Sequence, residues 1–147
     1  MNETITIATN DDCTLAALRA LLEERGFTIR WANDAIVLLE QARQLKTDLI
    51  LLDFFIPGGR APEIIRNITN MPNCSRIPIF VMAEREFRLN APEVYDAGAK
   101  AFLPKPLQKH QLLSLIPRFL TPKPEKPRRF AKRADYLVDW DSNLAKF

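Results

Sequence analysis

Asp53 closes a run of four apolar residues, Leu49 to Leu52. A carboxylate in that position ends a strand and sits at the top of a sheet, in a partly desolvated crevice where electrostatic contacts are strong. Aspartate also follows strands as a plain turn residue, so Asp53 alone leaves both roles open. A second apolar run ends at Leu103-Pro104-Lys105-Pro106, with Lys105 held between two prolines. On a solvent loop such a lysine is a solvated charge. At the end of a strand lying beside that of Asp53, its ammonium can neutralise the aspartate or a phosphoryl group. Pro106 locks this loop, with a cis bond open to it.

The elements that must hold these groups alternate between two patterns. Short runs rich in branched apolar residues read as strands over Thr4 to Thr9, Thr28 to Ala32, Asp48 to Leu52, Pro78 to Met82 and Lys100 to Leu103. Between them lie helical stripes. Leu15, Leu18, Leu21 and Leu22 form one, entered through Asp11 or Asp12 as a cap and closed by Gly26. Ile36, Leu39, Ala42 and Leu45 form a second, preceded by Asn33 or Asp34. Pro62, Ile64, Ile65 and Ile68 form a third, with proline in the first turn, where its missing N–H is harmless. A weaker helix precedes Gly98, and Gln108 to Ile116 is the last. LILLD and IPIFVM are apolar on both faces, which marks strands of a parallel sheet covered on each side. The expectation is an α/β, flavodoxin-like, doubly wound sheet of five parallel strands, with the last strand beside the third. Function then sits at the C-terminal strand ends.

Other chemistries find no support. Gly58-Gly59 is a turn, not a phosphate-cradling loop. His110 lies among Gln and Lys in the last helix and reads as solvated. A flavin site would want Ser, Thr or Gly after the first strand, whereas Asn10-Asp11-Asp12 repels a phosphate. Independent enzymatic activity is not expected. Cys13 and Cys74 match no metal-ligand spacing and read as reduced apolar fillers of a cytoplasmic protein. No apolar run approaches the roughly 18 residues needed to cross a bilayer.

The chain has 147 residues and a net charge of +3, with 47% hydrophobic and 27% charged residues, a globular profile. The charge is uneven. Residues 1–117 hold 13 Lys+Arg against 14 Asp+Glu, a balance of −1, and residues 118–147 hold 8 against 4, a balance of +4. The basicity belongs to the tail, so the overall charge gives no argument that the main domain binds nucleic acid, and such binding is not expected of it. Pro117, Pro122, Pro124 and Pro127, interleaved with basic residues, read as a stiff linker, so a domain of residues 1–117 is followed by a Pro-rich basic tail over 118–147.

Three segments carry a family resemblance. Asp53-Phe54-Phe55-Ile56-Pro57-Gly58 resembles the phosphoacceptor segment of response-regulator receiver domains. Ile77 to Met82 resembles their fourth strand, and Gly98 to Leu107 their fifth strand and lysine loop. The resemblance covers about residues 3–117. It implies a two-component signalling switch in which Asp53 accepts phosphate from a partner histidine kinase or phosphotransfer protein. Lys105 then contacts the phosphoryl group, and a downstream protein partner reads the result. It also implies Mg²⁺, held by acidic residues after the first strand, Asp53 and the Phe55 backbone carbonyl. Phosphoryl transfer depends on such positioning and charge neutralisation.

The chain departs from that pattern. Counting back from Gly26, the acidic pair falls on Thr9 and Asn10, with Asp11 one position beyond. Asp11 enters the metal site only if the loop shifts; otherwise Asp11 and Asp12 are helix caps. The switch Thr/Ser position carries Ala83, and the switch aromatic is Phe102, which has no hydroxyl. The alternative is a pseudo-receiver that docks partners irrespective of phosphorylation. In the tail, Arg129 and Arg133 followed by Tyr136, Val138 and Trp140 resemble the opening of a PilZ domain, which binds cyclic di-GMP. The other reading is a basic tail; under the PilZ reading the chain is a piece of a longer protein.

Overall fold

A computed structural model describes residues 3–120, and the arginines and aromatics of the tail that bear on cyclic di-GMP lie outside these residues. Five parallel strands form one sheet: β1 (Thr4–Ala8), β2 (Thr28–Ala32), β3 (Leu49–Asp53), β4 (Ile79–Ala83) and β5 (Ala101–Pro104). Their order is β2-β1-β3-β4-β5. The strand of Lys105 is therefore not beside that of Asp53, as the sequence had suggested. β4 lies between them, and the lysine side chain spans its end.

β3 shows why the sheet must be covered twice. Leu49 and Leu51 pack into the core beneath α1 (Asp12–Glu23) and α5 (Lys109–Leu120). Ile50 and Leu52 pack into the core beneath α2 (Ala35–Gln44), α3 (Ala61–Thr69) and α4 (Ala91–Ala97). All four are wholly buried, and each such side chain stabilises the fold by about 1.5–3 kcal/mol. β4 repeats the alternation, with Phe80 and Met82 on one face and Ile79, Val81 and Ala83 on the other.

The helix boundaries follow the expected caps. Asp11 caps α1, accepting from Cys13 N at 3.1 Å, and Asp34 caps α2, accepting from Val37 N at 2.8 Å. The second stripe is turned from the expected one. Ala35, Leu38 and Ala42 face the core, while Ile36 and Leu45 are exposed. The reason lies in the turn after β3. Gly58, at φ +99°, is seated against Ala35, and a Cβ added there would lie 3.0 Å from the Ala35 Cβ, so the small residue must face inward. That turn joins a two-rung antiparallel ribbon, Phe55–Ile56 with Gly59–Arg60.

Two more expectations change. Cys13 is exposed at the start of α1, and only Cys74 is a buried filler, its thiol directed at Ala42 O. The last helix runs through Pro117 to Leu120, so residues 117–120 belong to the helix and not to a linker. Phe119 meets the wholly buried Phe80 edge-on at 5.3 Å, and such packing offsets the backbone hydrogen bond that a proline forgoes.

Candidate functional site

The C-terminal ends of β1, β3, β4 and β5 converge on one carboxylate. Asp53 is the last residue of β3, and its side chain is 9% exposed. Ala8 pairs with Leu52, so the next rung sets Thr9 opposite Asp53. Thr9 is wholly buried, and its hydroxyl donates to Asp53 Oδ2 at 2.5 Å. Lys105 comes from the far side. Its backbone N–H bonds Ala83 O at 2.7 Å, the following bond to Pro106 is cis, and its side chain crosses the end of β4. The ammonium reaches Asp53 Oδ1 at 2.7 Å and Glu84 Oε2 at 3.9 Å. The buried carboxylate thus has one partner on each oxygen, a hydroxyl and an ammonium, which offsets the cost of burying its charge.

Asp11 points elsewhere. Its Oδ1 accepts from Cys13 N and its Oδ2 from the Thr14 hydroxyl at 2.7 Å, so both carboxylate oxygens serve the N-terminus of α1. The Thr14 hydroxyl, above all, holds the Asp11 carboxyl below its ordinary value, with a smaller contribution from the charge of Lys105. Asp12 is the first residue of α1. Only the Asp11 main chain touches the site: its N–H donates to Thr9 Oγ1 at 3.0 Å.

Magnesium favours about six oxygen ligands with one or two carboxylates among them. The acidic positions here hold the Thr9 hydroxyl and exposed Asn10, and the one carboxylate at the centre is paired with an ammonium. Among the described residues no group of three His, Cys, Asp or Glu side chains is placed to hold a metal. This donor set does not fit a magnesium site.

The two switch positions are apolar. Ala83 and Phe102 are buried in the α2–α3–α4 core, and Ala83 offers Asp53 no hydroxyl. The segment after β4 is fastened by rings: Phe87 stacks on Phe54 at 5.1 Å and meets Phe55 edge-on at 5.2 Å. Arg60 lies over the Phe54 ring and pairs with Glu93 of α4 at 3.2 Å. Burial pushes the phenol of Tyr95, also on α4, up to about 12. His110 is exposed, as expected.

A model of the response regulator receiver domain matches residues 5–117, most of the chain and the whole of the sheet but its first residue. The chain belongs to the response-regulator receiver family. Receiver domains are regulatory phosphoacceptors, and phosphorylation by a kinase is their standard role. This receiver is 27% identical over 116 residues to a probable transcriptional regulator, ycf29, of Pyropia yezoensis, covering 79% of this chain and 52% of that one. It spans about half or less of the length of the first curated relatives it matches. Its fold superposes on a response regulator from Chloroflexus aurantiacus with a TM-score of 0.78 at 21% identity, covering 83% of this chain and all of that one. The receiver domain of a sensor histidine kinase from Pseudomonas aeruginosa superposes with a TM-score of 0.76 at 20% identity and the same coverage. That protein has a magnesium ion coordinated in its active-site cleft.

The residue missed by sequence reasoning is Thr9. In the sequence it stands only where the family pattern has an acidic ligand. Its signal in the sequence is a β-branched hydroxyl residue that continues the face of Ile5 and Ile7 past the end of β1.

Proposed function

We propose that this receiver accepts a phosphoryl group on Asp53 from a histidine kinase or phosphotransfer protein and presents the result to a downstream protein partner. The observation that carries this reading is the Lys105 ammonium 2.7 Å from Asp53 Oδ1 at the C-terminal edge of the sheet. In the transfer, the P–N bond of the donor phosphohistidine breaks and a P–O bond forms at the Asp53 carboxylate. The imidazole leaves with the electron pair. Lys105 offsets the charge that gathers on the phosphoryl oxygens. No step here is assigned to Mg²⁺, because Asp53 has no second carboxylate beside it and Asp11 is engaged at α1. The cytoplasm is the compartment that suits such a partner, and among the described residues no helix is long and apolar enough to cross a membrane.

Intact-mass measurement after incubation with phosphoramidate tests the reading. One phosphoryl adduct is expected on the parent chain and none on Asp53→Ala. No adduct on the parent under any metal condition overturns it in favour of a docking module that ignores phosphorylation.

A further inference from the structure

Three hydroxyl-bearing or switch positions border Asp53 in principle, yet one alone touches it. Ala83 has no hydroxyl, Phe102 is buried away among apolar neighbours, and Thr9 Oγ1 lies 2.5 Å from Oδ2. The same oxygen accepts the Asp11 N–H at 3.0 Å. Asp11 in turn caps α1 through Cys13 N and the Thr14 hydroxyl. A continuous chain of bonds therefore runs from the carboxylate to the first turn of α1. The Thr9 backbone is pinned independently, its carbonyl accepting from Trp31 Nε1 at 2.9 Å and its N–H bonding Ala32 O at 3.1 Å. Any adjustment at Thr9 thus falls on the hydroxyl.

The geometry points to Thr9 as the positioning residue that senses the state of Asp53 and passes it to α1, because Ala83 at the end of β4 offers Asp53 no hydroxyl. This rests on Asp53 being the phosphoacceptor. Lys105 holds Oδ1 by a charge-assisted bond, whereas a hydroxyl can rotate, so Oδ2 is the oxygen that is freed to react. With phosphoramidate, the P–N bond breaks, a P–O bond forms at Oδ2, and the nitrogen, already carrying its protons, leaves as ammonia. Oδ2 then becomes an ester oxygen, a poor acceptor, and charged phosphoryl oxygens lie beside it. The Thr9 hydroxyl turns to one of them, and the acceptor seen by the Asp11 N–H turns with it. The helix cap built on Asp11 must readjust. On the opposite side, the ring cluster of Phe54, Phe55 and Phe87 and the Arg60–Glu93 pair hold the segment before α4 in place.

The test is a set of amide NMR shifts recorded during exposure to phosphoramidate, with intact mass followed in parallel, for the parent, Thr9→Ser and Thr9→Val. In the parent, the adduct should move amides from Asp11 along α1 as far as Leu18 to Leu22, and those of residues 84–97 much less. Thr9→Ser keeps the hydroxyl and should keep that map. Thr9→Val preserves the shape, should take up the phosphoryl group more slowly because Oδ2 loses its hydroxyl partner, and in the adduct should lose the shifts in the distal half of α1. A distal α1 response that persists in Thr9→Val overturns the inference. So does a parent map dominated by residues 84–97, which decides the matter even if Thr9→Val does not fold. A Thr9→Val chain that folds but takes no adduct makes Thr9 a requirement for acceptance and overturns its role as sensor. A parent with no adduct overturns the phosphoacceptor reading itself, a failure that the mass spectrum reports separately.

Discussion

The hydroxyl of Thr9 donates to Asp53 Oδ2 across the rung that follows Ala8 and Leu52, and so occupies the side of the carboxylate that the ammonium of Lys105 leaves open. The site is a neutralised, hydrogen-bonded carboxylate instead of a cluster of acids. Its stability, its metal response and its coupling to the rest of the fold all follow from that pairing.

Removing the ammonium leaves a largely buried carboxylate with one partner. Lys105→Ala should lower unfolding stability by on the order of 1–3 kcal/mol in urea denaturation, and should slow adduct formation. Unchanged stability together with an unchanged rate would mean that the 2.7 Å contact does not persist in solution.

Metal response should be weak in the parent and created by a second acid. Thr9→Asp sets two carboxylates against each other, so the variant should melt lower than the parent without metal and recover in millimolar Mg²⁺. The parent's melting temperature should hardly move over the same titration. A large Mg²⁺ stabilisation of the parent would show that the loop rearranges to bring Asp11 in.

A hydroxyl at the end of β4 should widen the response to phosphorylation. A hydrogen bond to a charged group is worth about 1.5–3 kcal/mol, or a factor of roughly 10 to 150 in a conformational equilibrium. Ala83→Thr should therefore extend the amide shifts produced by the adduct over residues 84–107, where the parent changes little. Equal spread in parent and variant would remove the argument from the missing hydroxyl.

Tyr95 gives a pH dependence of definite sign. Its phenol has an ordinary value of 10.0 and is pushed up to about 12 in the fold by burial. Between those values the unfolded chain has lost a proton that the folded chain keeps, so the stability tied to the neutral phenol is complete below about pH 10 and is lost as pH rises towards 12. Chemical denaturation of the parent and Tyr95→Phe across this window should show the parent falling more steeply. Parallel curves would place the phenol in water.

Much of the architecture is legible in residue types alone. LILLD and IPIFVM are apolar at every position, and a strand with no polar face has nowhere to lie but inside a parallel sheet. Asp34, Pro62 and Gly98 mark helix ends because capping, first-turn and left-handed positions depend on a few neighbouring atoms. Asp53 and Lys105 stand out for a similar reason, as charges at the ends of apolar runs.

What the sequence alone could not decide depends on contacts between distant segments. Which face of α2 turns inward is set by Gly58 pressing on Ala35, and the strand order puts β4 between Asp53 and the loop of Lys105. The continuation of α5 past Pro117 follows from Phe119 meeting Phe80. The direction of the Asp11 carboxylate, towards the N–H and hydroxyl groups of α1 and away from Asp53, is a competition between two nearby sets of partners. The role of Thr9 is the plainest case. A threonine at the end of a strand looks like any β-branched residue until parallel pairing of β1 with β3, 44 residues away in the chain, sets its hydroxyl against the buried Asp53.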